Sequence, residues 1–223
     1  MKKKVYLTEA QLTLLTELYH DKEAELIIPY IKSFGQKGKL PTFTGKLSDC
    51  YKDGAKQAYK WACENSIENV RRYGEAWFFR EFSAEVVGRF TFNKRGLIYV
   101  ERSIDLDISK EFNNLGFTSV GECWSWSRLN AKSYCSANYN SVIPNENIIE
   151  VILCGYVHPN SVDWTETVYL NSYSMKNETE IRMNDNALVE VPYIKIKGEK
   201  FNLGGSYLLN ASADKYNKNK ENW

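Results

Sequence analysis

Apolar residues in the first third of the chain recur at helical spacing. In "LTEAQLTLLTELY", Leu12, Leu15 and Tyr19 form one stripe together with Leu14 and Leu18. Thr8, with Gln11 three residues on, makes a capping-box pattern that marks a helix start. The stretch "KEAELIIPYIKSF" predicts a second helix, bent or divided at Pro29. "GQKGKLPTFTGK" carries three glycines and a proline and reads as a loop. Helical spacing returns through "LSDCYKDGAKQAYKWACENSIENVRRYGEAWFF", where Ala55, Ala58, Tyr59 and Ala62 share a face.

From about residue 86 the pattern changes. "RFTFN", "GLIYVERSI", "IIEVILCGYV" and "ALVEVPYIKI" are short, β-branched and aromatic, and bounded by Gly, Asn or Pro, so each predicts a strand. One helix is expected between them, at "SRLNAKSYCSA". Helices followed by strands give an α+β chain. The expected organisation is a helical region over 1–85, a sheet domain over 86–210 and a polar tail over 211–223.

Composition narrows the classes of function. With 6 Trp, 15 Tyr and 10 Phe, and 43% of residues hydrophobic, the chain can fill a core. The 29 basic residues nearly cancel the 28 acidic ones, so net charge gives no argument for a nucleic-acid or membrane partner. "MKKKVYLTEAQL" has the lysines of a secretory signal but no apolar run after them, and no stretch reaches the length of a membrane span. A cytoplasmic protein is expected. Five cysteines without CxxC spacing argue for free thiols rather than a disulfide framework or a zinc site. With only His20 and His158, histidine chemistry has little to build on, and no metal ligands are assigned.

Three segments of the second region stand out. Arg102 lies on the strand predicted at "LIYVERSI". "CWSWSRLNAKSY" carries Ser125, Trp126 and Ser127, then Ala131 and Tyr134, where a strand turns into a helix. "NETEIRMND" carries Glu178, Thr179, Glu180 and Ile181, followed by the return strand "ALVEV". Read alone, each has a plain alternative. Two glutamates at i and i+2 can be one solvated strand face, Arg102 can pair with a surface acid, and Ser127 can be a helix N-cap.

Taken in order, the three segments resemble the arginine–serine–glutamate class of ADP-ribosyltransferases, which includes cholera-toxin-like and phage-encoded members. The resemblance spans roughly residues 95 to 197 and leaves out the N-terminal helices. Two positions depart from the class: Glu101 precedes Arg102 where an aromatic is usual, and Trp126 stands between the two serines. The fold implied is a split β-sheet domain following the helical region.

The activity implied is NAD-dependent mono-ADP-ribosyl transfer to a protein target, in a toxin-like bacterial or phage effector. NAD is the substrate that supplies the group. Glu180 would stabilise the positive charge that builds on the ribose as neutral nicotinamide leaves. Glu178 on the same strand face would orient an acceptor arginine. Arg102 would hold the dinucleotide, and Ser125 would fix the rotamer of Glu180. Trp126 and Tyr134 would wall the nicotinamide pocket. Two other outcomes stay open: a protein that keeps this fold without catalysis and binds or inhibits a partner, and NAD hydrolysis or transfer to nucleic acid on the same scaffold.

Overall fold

The computed structural model describes residues 8–65, 68–107, 120–127, 148–172 and 179–211, and the backbone alone at 10–20, 68–69 and 107. Helix α1 runs Glu9–Ser33, starting directly after Thr8 as the capping pattern predicts. It is one helix where two were expected, and Pro29 lies inside it without ending it. Among its described side chains, the buried apolar residues Ala24, Ile27, Tyr30 and Ile31 fall at i, i+3, i+6 and i+7, a single stripe facing the core. The longer helical region expected after the loop consists of α2, Leu47–Glu64, and α3, Glu68–Glu85. Gly54 on α2 packs so close to the next short helix, α4 at Trp164–Leu170, that a Cβ would lie 2.7 Å from the Trp164 backbone.

Helix α3 is broken at Gly74, whose φ of 81° and ψ of 174° belong to a region essentially closed to other residues. A Cβ there would meet nothing within 4 Å, so only the backbone opposes a side chain. Gly74→Ala is therefore expected to lower stability by about 1–3 kcal/mol, read as a drop in Tm with the folded-state circular dichroism unchanged.

Among the described residues seven strands form one antiparallel sheet: β1 Gly35–Lys37, β2 Ile98–Asp107, β3 Cys123–Ser125, β4 Ile148–Val157, β5 Glu180–Arg182, β6 Leu188–Ile196 and β7 Glu199–Asn210. Their order is β1-β7-β6-β4-β2-β3-β5. β2, β4 and β6 lie where the β-branched and aromatic runs placed them. The "RFTFN" segment contributes a 3-10 turn at Val87–Arg89 and one bridge, Phe92 to Ile98, instead of a strand. β6 and β7 shift register between Val191 and Tyr193, which brackets Pro192, a residue with no N–H for the ladder.

Helix α3 ends at Glu85, and the helices pack directly on the sheet. β1, from within the first 85 residues, pairs with β7. Residues of α1, α2 and α3 also share one core with Ile98, Val100, Leu153 and Ile181 of the sheet. On the other face of the sheet, Tyr99, Ile152 and Cys154 form a second, smaller cluster. The described strands form one continuous order, and its ladder is thinnest between β2 and β3, where the single pair Glu101–Ser125 joins them.

Candidate functional site

The site is built on β2, β3 and β5. β3 and β5 pair in register, Cys123 with Arg182, Trp124 with Ile181 and Ser125 with Glu180. Directly opposed residues share a face. Trp124 and Ile181 enter the main core, so Ser125 and Glu180 point the other way. The ladder continues as Trp126 N–H donates to the Thr179 carbonyl at 3.0 Å. The outer edge of β5 is covered by α4 and its flanks. Asp163 N–H donates to Arg182 O at 2.9 Å, Arg182 N–H to Thr167 Oγ1 at 3.0 Å, and Asn171 Nδ2 to Glu180 O at 2.7 Å. An edge strand closed in this way cannot recruit another chain, and the backbone beside Glu180 is held on both sides.

Glu180 is only 5% exposed, so the solvated-face alternative does not describe it. Its carboxylate meets Arg182, two residues along the same strand face, at 2.9 Å. The same guanidinium reaches Glu122 at 2.5 Å and Glu166 at 3.3 Å. Three carboxylates thus surround one cation, and the group stays negative overall. Sequence reasoning passed over Arg182, although its i+2 spacing from Glu180 was the available signal.

Ser125 is buried beside Glu180, but its hydroxyl has other partners than those expected. Ser125 Oγ lies 3.1 Å from Thr179 Oγ1 and 3.0 Å from the Ser127 carbonyl, and it accepts from Ser127 N–H at 3.1 Å. It fixes the turn after β3 and the residue before Glu180, so any hold on the carboxylate runs through Thr179. Thr179 sits at a φ of 52°, in the left-handed region.

Arg102 lies apart. Glu101 is the β2 residue in register with Ser125, and the β4 partners of Glu101 and Arg102 are Cys154 and Leu153. Leu153 belongs to the main core and Cys154 to the second cluster, so alternation turns Arg102 away from the Ser125–Glu180 face. Its guanidinium donates to the Cys123 carbonyl and packs against Gly121. The row running across the three strands is therefore Glu101, Ser125, Glu180. Trp126 is half-buried at the end of β3, 5.8 Å from the Phe90 ring and with Nε1 3.4 Å from Asn171 Oδ1. Glu178 and Tyr134 lie outside the described residues, as does the helix expected at "SRLNAKSYCSA".

Glu101 anchors a polar cluster that the sequence did not reveal. It is 1% exposed and accepts from Tyr99 Oη at 2.6 Å and Lys195 Nζ at 2.8 Å. Tyr99 in turn lies 3.0 Å from Tyr193 Oη. The partners differ in sequence position by up to 94 residues, which hides the cluster from any local reading.

Two thiols border these acids. Burial, then the nearby Glu180 charge, pushes Cys123 from the ordinary value near 9 to about 11, against the pull of Arg182 and Arg102. Burial, then Glu101, does the same to Cys154. A folded pKa above the unfolded one means stability present in full below pH 9 and lost as pH rises through about 11. Urea midpoints are therefore expected to fall between pH 9 and 11, with a shallower fall in the Cys123→Ala, Cys154→Ala double variant.

A groove of about 330 Å³ opens beside this site. Phe78, Phe82 and Val86 form one wall, and Trp126, Val168 and Thr179 the other. Glu81, Glu85 and Arg89 also line it. Among the described residues no group of His, Cys, Asp and Glu could hold a metal ion, and no helix is long and apolar enough to cross a membrane. No protein-family model, curated protein or solved structure matches the chain.

Proposed function

We propose that the chain is an NAD-dependent mono-ADP-ribosyltransferase acting on a protein in the cytoplasm, with Glu180 as the acid that faces the reacting ribose. The observation that carries this reading is the direct cross-strand pairing of Ser125 with Glu180, next to the strand that bears Arg102. The resemblance in sequence order thus corresponds to adjacency in space for two of its three members.

The chemistry follows from the leaving group. Nicotinamide departs neutral from a cationic ring, so the bond between its nitrogen and the ribose can break without a proton donor. Positive charge collects on the sugar, and an acceptor nitrogen then bonds to the same carbon and loses its proton to a nearby base. A carboxylate fixed beside the sugar lowers that barrier because it does not have to reorganise. Arg182 holds Glu180 in place at 2.9 Å, while Glu122 and Glu166 share the same guanidinium and leave negative charge facing the sugar. Glu178 keeps its assignment to the acceptor.

A second reading has its own support. Arg102 donates to a backbone carbonyl, and the Glu180 carboxylate is already ion-paired. Both fit a protein that uses this architecture to bind or inhibit a partner without turning over NAD. Labelled NAD, incubated with a lysate and either the protein or its Glu180→Gln variant, separates the two. Label on a lysate protein that disappears with the variant is the result expected. Absence of both label and free nicotinamide would leave the binding protein as the better account.

A further inference from the structure

β3 and β5 place four polar side chains on one face as two cross-strand pairs, Cys123 opposite Arg182 and Ser125 opposite Glu180. Trp124 and Ile181, which alternate with them, enter the main core on the other face. Cys123 and Glu180 are therefore diagonal neighbours, within reach of a side chain as long as glutamate. The hydroxyl on β3 is engaged elsewhere: Ser125 Oγ is taken up by Thr179 and by the backbone of Ser127. Cys123 is a half-buried free thiol that the chemistry above leaves without a use. Its strand is fixed at this point by Arg102, which donates to the Cys123 carbonyl. The guanidinium packs where only a glycine leaves room, since a Cβ on Gly121 would lie 2.5 Å from Nη2.

We propose that Cys123 is a positioning residue for Glu180, its thiol packing beside the carboxylate and donating to it alongside the ion pair with Arg182. The consequence for turnover rests on the transferase reading above; the contact itself does not. Glu180 acts on the thiol through its charge and as a hydrogen-bond acceptor, and both effects keep the proton on sulfur. A protonated thiol is a donor and a poor nucleophile, so Cys123 places the acid and does not attack the sugar. Arg102 then serves the site through β3, by holding the backbone that carries the thiol, and not by touching the dinucleotide. Serine is a better donor of similar size, so Cys123→Ser preserves the arrangement, whereas Cys123→Ala removes the donor.

Two measurements test this. The first needs no NAD: iodoacetamide labelling at pH 9, near the ordinary thiol value, resolved by peptide mass spectrometry for the wild type and Glu180→Gln. Removing the carboxylate frees the thiol proton, so labelling of Cys123 is expected to rise at least about twofold. Labelling of Cys154, which is fully buried, should stay constant and report an intact fold. The second is steady-state nicotinamide release. Cys123→Ala is expected to lower kcat about threefold with KM for NAD unchanged, the weight of one weak hydrogen bond, and Cys123→Ser to restore most of it. Labelling of Cys123 that ignores Glu180→Gln, or equal losses in the alanine and serine variants, would overturn the assignment. Labelling that answers to Glu180, with NAD left intact by the wild type, would retain the Cys123–Glu180 contact and remove the transferase reading. NAD cleavage by a protein whose Cys123 is indifferent to Glu180 would do the reverse.

Discussion

Glu190→Ala is expected to lower stability by about 3 kcal/mol, the low end of the penalty for breaking a buried charge pair, because the Arg95 left behind is 29% exposed. Glu190 is 2% exposed near the start of β6. Both of its carboxylate oxygens lie 2.7 Å from Arg95 Nη2, and one also accepts the Leu40 N–H at 2.8 Å. Arg95 closes the circuit through Nη1 to the Leu40 carbonyl at 2.6 Å. The three groups tie the loop after β1 to the centre of the sheet. Alanine leaves a buried backbone N–H without its acceptor and takes the carboxylate from a guanidinium that is 29% exposed. For a chain of this size such a loss moves Tm down by roughly 10 °C. Glu190→Gln keeps the shape and one acceptor oxygen, so its loss should be clearly smaller. Thermal unfolding of the two variants beside the wild type decides the point, and equal, small shifts would mean that the circuit contributes little.

Glu180→Gln is expected to reduce NAD turnover by roughly 10²- to 10³-fold, the range seen when one preorganised electrostatic group is removed from a transition state. Glutamine keeps the side-chain volume but offers no charge to the sugar cation. The substitution should not unfold the chain. Arg182 keeps Glu122 at 2.5 Å and Glu166 at 3.3 Å, both partly exposed, and so is not stranded. Near-ultraviolet circular dichroism that matches the wild type, with turnover lost, is the expected pair of results. Loss of turnover together with loss of the folded spectrum would point instead to a structural role for the Glu180–Arg182 contact.

Much of the α+β order was legible because it follows from local periodicity. β2, β4 and β6 are runs of β-branched and aromatic residues, and α2 shows its alanine face directly. Elements without that signature escaped. β7 carries Gly204 and Gly205 in its middle and many exposed positions, so it does not read as a strand until β6 supplies its partner. β1 is three residues long and starts at a glycine in a stretch that reads as loop. α4 has only seven residues.

The candidate site was legible in part for a related reason. A sequence shows which residues share a face within one strand, but not which residue of a distant strand lies opposite. Ser125 and Glu180 fell in register, whereas the register of β2 with β3 selects Glu101 and turns Arg102 away. The Glu101–Tyr99–Lys195 contacts join β2 to β6 across β4, and no spacing within either segment encodes them.

On the proposed reading, Ser125 and Glu180, paired across two short strands, act on one ribose as a single unit. The most direct test is a double-mutant cycle on nicotinamide release from NAD, using the wild type, Ser125→Ala, Glu180→Gln and the double variant. The wild type should release nicotinamide. Ser125→Ala should slow it by about fivefold, the weight of one neutral hydrogen bond near 1 kcal/mol, and the double variant should be no slower than Glu180→Gln alone. A wild type that leaves NAD intact, or a double variant whose loss equals the product of the two single losses, would contradict the account.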